Sequence, residues 1–144
     1  MLIMEEELVP NKSYAGFVLG EDIHKYLGSN RIYDIQIIDG TIKVKNYGVY
    51  DPEISIDTIC SKIQNIDCEK TCYWQGKNLI GMCYKDFLEM VKILPDEKDI
   101  IYLPIYQNRG QNHKVYTFYS LGLMIWVWRD KIRSVTIFDG TVPE

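Results

Sequence analysis

Tyr116-Thr-Phe-Tyr-Ser-Leu-Gly-Leu-Met-Ile-Trp-Val-Trp-Arg-Asp-Lys-Ile-Arg-Ser-Val-Thr-Ile-Phe138 is dense in β-branched and aromatic residues, and only Gly122 and Arg129-Asp130-Lys131 interrupt it. Such residues fit a pleated surface better than a helix, and the interruptions carry turn chemistry, so the stretch reads as consecutive antiparallel strands, Leu123–Trp128 and Ile132–Phe138. Side chains alternate across a strand. Met124, Trp126 and Trp128 therefore share one face and Leu123, Ile125 and Val127 the other, and since both faces are apolar, both are expected to be covered.

Upstream, Ile100–Tyr106 and Lys114–Leu121 read as two more strands, joined by the wholly polar Gln107-Asn-Arg-Gly-Gln-Asn-His113, taken as a loop. Arg31 to Ile38 alternates as a strand, and Asp39-Gly40 supplies the pair a type I′ hairpin prefers, with Thr41–Tyr47 returning. Three helices are expected. Leu19, Ile23, Tyr26 and Leu27 recur at helical spacing before Gly28; Ile56, Ile59, Ile63 and Ile66, with Cys60, form a second stripe capped by Ser55; Phe87, Leu88, Val91 and Leu94 form a third from about Tyr84 until Pro95-Asp96. Tyr73-Trp-Gln-Gly-Lys77 reads as a turn or loop. The expected fold class is α+β, an antiparallel β-sheet meander packed with two or three helices. One domain spans 1–144, with residues 1–10 flexible.

A short internal echo accompanies this layout. Lys12-Ser-Tyr-Ala-Gly-Phe17 followed by Asp22-Ile23 resembles Lys77-Asn-Leu-Ile-Gly-Met82 followed by Asp86-Phe87, and Ile37-Ile-Asp-Gly-Thr-Ile42 resembles Ile137-Phe-Asp-Gly-Thr-Val142. Matches this short also arise by chance; taken as real, they imply two degenerate helix-plus-meander units sharing one sheet.

A chain of 144 residues buries about 70% of its unfolded surface, enough for one self-sufficient core. Sixteen basic against twenty acidic side chains leave a net charge of −4, which disfavours a general phosphate-backbone binder and makes a basic partner more natural than a nucleic acid. The first residues carry no basic segment and no apolar core of a signal peptide. The longest apolar run, Leu121 to Trp128, falls far below the ~18 residues of a membrane span. The expectation is a cytoplasmic protein without membrane or nucleic-acid partners.

Cys60, Cys68, Cys72 and Cys83 contain no C-x2-C pair, and His24 and His113 lie far away, so the spacing favours reduced thiols over a disulfide or a zinc site. No nucleophile, metalloprotease, P-loop or dinucleotide motif is present. His24, beside Glu21 and Asp22, reads as part of a solvated helix face; His113, Asp96-Glu97 with Asp99, and Glu5-Glu6-Glu7 read as surface groups. The chain is expected not to be an enzyme, and no cofactor or metal is expected.

The eleven Tyr and three Trp leave recognition as the alternative chemistry, since aromatic side chains lead the residues that anchor interfaces. The candidate partner-binding residues are Trp74 in its loop, Gln107, Asn108, Arg109, Gln111, Asn112 and His113 in the polar connection, and Arg129 and Lys131 in the last turn.

Gly16-Phe-Val-Leu-Gly-Glu-Asp-Ile23 and Tyr119-Ser-Leu-Gly-Leu-Met-Ile-Trp-Val-Trp-Arg-Asp-Lys-Ile132, in their layout, resemble small bacterial immunity proteins of polymorphic-toxin and contact-dependent growth inhibition systems. The Leu-Gly-Leu, apolar strand, polar turn, Ile, strand pattern is also similar to the helix-plus-meander units of BamE-type lipoproteins and of β-lactamase inhibitor protein. The resemblance implies a stoichiometric inhibitor that covers the active surface of a cognate, basic protein toxin; it transfers no individual residue. Structural or regulatory domains, and enzymes with an unrecognised site, remain the alternatives.

Overall fold

The computed structural model describes residues 7–28, 32–37, 44–50, 52–106 and 109–141. A two-stranded hairpin, β1 (Ser13–Tyr14) and β2 (Phe17–Val18), is followed by one 3-10 turn, Ile23–Lys25, and then by β3 (Ile32–Ile37), β4 (Val44–Val49), β5 (Ile54–Ile59) and β6 (Lys62–Cys68). A second hairpin, β7 (Tyr73–Trp74) and β8 (Lys77–Asn78), leads into α1 (Tyr84–Val91), the one α-helix among the described residues, and then into β9 (Glu97–Tyr106), β10 (Arg109–Phe118), β11 (Leu123–Trp128) and β12 (Lys131–Phe138). β3 to β6 and β9 to β12 are two antiparallel meanders. They fuse where β12 pairs with β6, Val135 opposite Cys68 and Ile137 opposite Ile66, giving one eight-stranded sheet in the order β3-β4-β5-β6-β12-β11-β10-β9. The fold is α+β, an antiparallel meander with a single substantial helix.

Two of the three expected helices are absent or reduced. Ile56, Ile59, Ile63 and Ile66 lie on β5 and β6, and their helical spacing is an accident of two strands joined by a tight turn. Cys60 and Ser61 form that turn at φ 51° and 69°. A bulge opposite Asp57 and Thr58 then places Ile63 and Ile66, three residues apart, on the same face. β-Branched residues restrict χ1 in a helix and suit a strand, and here that preference prevails. Cys60, expected in the buried stripe, is exposed at the turn. The helix expected over Leu19–Gly28 shrinks to Ile23–Lys25 because β6 claims the backbone before it: the Gly20 N–H donates to the Ile63 carbonyl and the Ile23 N–H to the Ser61 carbonyl, both at 2.8 Å. α1 starts where expected but stops at Val91, since Lys92 turns left-handed at φ 57°; Leu94, expected inward, is 79% exposed.

The supposed loop Gln107–His113 is mostly strand. Arg109 to His113 belong to β10, paired with β9, because polar residues on an exposed strand end need no covering partner. Tyr73–Lys77 forms the β7–β8 hairpin. The Asp39-Gly40 turn, Thr41 and the segment Ile38–Ile42 of the echo lie outside the described residues. So do 1–6; Leu8, within the segment expected to be flexible, is buried, and its N–H donates to the Tyr73 carbonyl at 2.8 Å.

The same hydrogen bonds recur in both halves. The Gly20, Ile23 and Ile63 N–H groups donate to Ile63, Ser61 and Glu21 carbonyls; in the second half Gly81, Tyr84 and Ile132 donate to Ile132, Asp130 and Met82. Arg129-Asp130 repeats the turn of Cys60-Ser61 at φ 53° and 65°, and Gln75-Gly76 repeats that of Ala15-Gly16. The β5–β6 bulge has its counterpart opposite Trp126 and Val127. This correspondence lays Val44–Cys68 on His113–Ile137 at one constant offset, along which Lys45, Tyr47, Ile56, Lys62 and Ile63 meet Lys114, Tyr116, Ile125, Lys131 and Ile132. The echoes read from the sequence use other registers: Gly16 corresponds to Gly76, not Gly81, and Ile37 and Ile137 lie on strands that are not counterparts.

The core forms on one side of the sheet. Ile56, Ile66, Leu123, Ile125, Ile132 and Val135 are fully buried there against Phe17, Ile23, Leu79 and Phe87. Phe87 meets Phe118 edge-on at 5.5 Å, and Tyr84 stacks on Tyr116 at 4.0 Å. Each such side chain contributes about 1.5–3 kcal/mol by leaving water. Both hairpins, the 3-10 turn and α1 pack on this side; among the described residues no element crosses the other.

Candidate functional site

The helix-free face is set by the alternation of β11. Leu123, Ile125 and Val127 enter the core, so Met124, Trp126 and Trp128 point away from it and stay partly exposed. Covering of both apolar faces was expected; among the described residues, elements pack on only one. Register carries the same face across the sheet: Thr117 lies opposite Met124, Val115 opposite Trp126, Ser134 opposite Trp126, Asp67 opposite Thr136, and Asn46 and Asn65 opposite Asp57.

The two halves agree toward the core and diverge here. Where the first meander carries Asn46, Ser55, Asp57 and Asp67, the corresponding positions of the second carry Val115, Met124, Trp126 and Thr136. At these four positions the first half is wholly polar, and the second is apolar or aromatic except at Thr136.

In the aromatic half Trp128 is hemmed in. The Arg129 and Arg133 guanidinium carbons lie 4.4 Å and 5.2 Å from its ring centroid, and the His113 imidazole stacks 6.3 Å away at 27°. These cation–π contacts and the stack hold a large side chain in one pose. His113 is buried, 7% exposed, contrary to a surface position, because its alternate position on β10 tucks it beneath Trp128. Its Nε2 donates to Gln111 Oε1 at 2.9 Å, whereas Nδ1 has no partner. Burial, with the nearby Arg133 charge, lowers its pKa and favours the neutral ring.

In the polar half one hydrogen-bonded line crosses the strands. Trp126 Nε1 donates to Thr136 Oγ1 at 3.1 Å, and Thr136 Oγ1 donates to Asp67 Oδ1 at 2.6 Å. Asn65 Nδ2 donates to Asp67 Oδ2 at 3.1 Å and to Asp57 Oδ2 at 2.8 Å, and Asn46 Nδ2 donates to Asp57 Oδ1 at 2.7 Å. Burial pushes the Asp67 carboxyl up to about 6, with the Asp57 and Glu69 charges adding to the rise and Thr136 opposing it. The line joins Trp126 to both acids, so the two halves of the face are mechanically one surface.

The candidate residues named from sequence separate. Gln111, His113, Arg129 and Lys131 surround Trp128. Asn112 points to the helix side, where with Arg129, Lys114 and Tyr84 it lines a cleft of about 130 Å³; the Tyr84 hydroxyl is buried without a partner. Trp74 packs against the core on that side too. Arg109 is exposed at the start of β10, and Gln107 and Asn108 lie outside the described residues. Sequence reasoning missed Met124, Trp126, Arg133, Asn46, Asp57, Asn65 and Asp67 as site residues. The polar alternation Ser55, Asp57 and the pair Asn65, Asp67 carried the signal, but only for a reader who takes β5 and β6 as strands.

Among the described residues no three His, Cys, Asp or Glu side chains gather as metal ligands. His24 is exposed and pairs its Nδ1 with Asp22 Oδ1 at 2.7 Å. The four cysteines are free thiols; Cys68 and Cys72 are buried, and the Cys72 hydrogen bond together with burial raises the Cys68 pKa. No described helix is long and apolar enough to cross a membrane. Comparison with protein-family models, curated proteins and solved structures finds no match to this chain.

Proposed function

We propose that the chain is a protein-binding module of the immunity type, which neutralises a cognate protein toxin by docking it on the helix-free face of the sheet. The observation that carries this reading is the divergence of the two halves. Their core positions stay mostly apolar and their turns keep one geometry, while on the uncovered face Asn46, Ser55 and Asp57 give way to Val115, Met124 and Trp126, and Ile59 to Trp128. We read the halves as degenerate copies of one unit, and a face freed from packing duty is where such copies diverge for a partner.

Trp and Arg are enriched at interface hot spots, Trp because it buries a large area with only two side-chain torsions to fix. Trp128 between Arg129 and Arg133 is already held, which lowers the entropic cost of docking. Asp67, joined to Trp126 through Thr136, and Asp57 farther across the same face supply acceptors for a basic partner, in keeping with the net charge of −4. Such a protein acts by occlusion and makes or breaks no bond.

The test is co-expression with the toxic product of the adjacent reading frame. The wild-type chain should restore growth and form a one-to-one complex; Trp126→Ala with Trp128→Ala should raise Kd by at least about 30-fold, the loss of a ≥2 kcal/mol hot spot, with an unchanged circular dichroism spectrum. Undiminished affinity in that double variant would move the interface off this face.

A further inference from the structure

β9 forms one outer edge of the eight-stranded sheet, and β3 forms the other. A ten-residue outer strand presents a row of unpaired backbone groups, and natural proteins blunt such edges with charge, proline or bulges. On β9 these devices sit at the ends: Glu97-Lys98-Asp99 open the strand and Pro104 lies near its close, with Ile100-Ile-Tyr-Leu103 bare between them. Ile100 is 65% and Tyr102 53% exposed, on the same side of the sheet as α1, and Leu94, just before the strand, is 79% exposed.

Tyr102 is also held in place. A Cβ on Gly110 would fall 2.2 Å from Tyr102 Cζ, so the glycine leaves room for the ring to lie on the β10 backbone with its outer surface free. An aromatic plate fixed before docking loses little entropy on contact.

We propose that β9 is a self-association edge, along which two copies of this chain pair antiparallel about a twofold axis that runs normal to the sheet midway between the two Ile101 residues. An axis normal to the sheet conserves its two faces, so residues that oppose one another must face the same side, and only registers centred on a residue are allowed. Centring on Lys98 or Asp99 sets like charge on like charge. Centring on Ile101 overlaps nearly the whole strand, sets Ile100 against the second copy's Tyr102, and places Glu97, Lys98 and Asp99 opposite positions 105, 104 and 103, none of them charged. Centring on Tyr102 overlaps as many residues and is equally free of charge repulsion, but sets Ile100 against Pro104; the pairing of β-branched Ile100 with an aromatic ring on both sides of the axis favours Ile101. Both helix-free faces then point the same way.

Sedimentation velocity from about 1 to about 100 µM, the range over which a micromolar pair dissociates, should show wild-type chain passing from monomer to dimer. Ile100→Lys with Tyr102→Lys should remain monomeric while keeping the far-UV circular dichroism spectrum of the wild type. The two Ile101 residues face each other across the axis, so in a Cys60→Ser background Ile101→Cys should be cross-linked to its mate by glutathione disulfide, because directly opposed strand residues stand about 4.5–5.5 Å apart, within disulfide reach; Glu89→Cys on α1 should not. A chain monomeric throughout, a dimer that survives the two lysines, or a dimer that Ile101→Cys fails to trap would overturn the proposal. So would a monomer that takes up only a strand from a different protein at β9.

Discussion

At the residue scale, Asp67 shows how a polar line on an uncovered face is tuned. Its carboxyl binds a proton more tightly in the folded chain, with a pKa of about 6, than at the ordinary value of 3.8, so this group stabilises the fold below about pH 4, and the contribution is lost as pH rises through 6. A rise of that size corresponds to roughly 2–3 kcal/mol. Asp67→Asn should therefore raise stability at pH 7.5 by about 1–3 kcal/mol relative to wild type and remove the advantage of acid between pH 4 and 6, read from urea melts across that range. A variant less stable than wild type at pH 7.5 would mean that the ionised carboxylate holds the line together. Core residues behave differently. Phe87→Ala, which empties a fully buried site against Phe118, should lose about 3–5 kcal/mol in the same melts, whereas Trp128→Ala, off the core, should lose far less.

At the scale of elements, the repeated turns fix the architecture more than the helices do. Both Cys60-Ser61 and Arg129-Asp130 hold two consecutive residues at positive φ, a geometry for which Asn-Gly is the preferred pair. Cys60→Asn with Ser61→Gly should raise Tm by a few degrees, consistent with about 0.5–1 kcal/mol of relieved backbone strain; a fall in Tm would show that Cys60 or Ser61 has a contact that matters more. The turn between β10 and β11 allows no such freedom. Gly122 adopts φ 65°, and a Cβ there would meet the Phe138 carbonyl oxygen at 2.1 Å, so Gly122→Ala should destabilise by at least about 2 kcal/mol in denaturant melts. Asn11 clamps the same corner, its Nδ2 donating to the Ser120 carbonyl and its Oδ1 accepting from Gly140 N–H, at 2.8 and 2.7 Å. The N-terminal segment thereby ties two turns of the second meander.

At the scale of the whole molecule, the halves are joined by more than their seam. The β6–β12 pairing is continuous with a core to which both halves contribute, and Tyr14 adds to this union, its hydroxyl accepting the Tyr73 N–H at 3.2 Å. Heat should accordingly unfold the protein in one transition, with far-UV circular dichroism and tryptophan fluorescence coincident; since Trp74, Trp126 and Trp128 all lie in the second half, a fluorescence midpoint separate from that of the whole would show independent folding of the two.

Much of the second half was legible because its signals are local. The alternation of Leu123–Trp128, the Arg129-Asp130-Lys131 turn and the stripe of Phe87, Leu88, Val91 and Leu94 each follow from what neighbouring residues prefer, and these elements stand where they were read except that the helix ends at Val91 and leaves Leu94 exposed. The first half misled for an equally physical reason: Ile56, Ile59, Ile63 and Ile66 satisfy a helical spacing, and only the turn at Cys60-Ser61 and the pairing with β4 and β12 decide for strands. Of the candidate site, Arg129 and Lys131 were visible as charges beside a Trp, but His113 was misplaced because nothing local says that a polar segment is strand. Local preference determined that this chain is α+β with an antiparallel meander. Which face of that sheet stays open, which acids join across it, and which strand ends at the edge depend on pairings between distant segments, whose energies no short stretch of sequence contains.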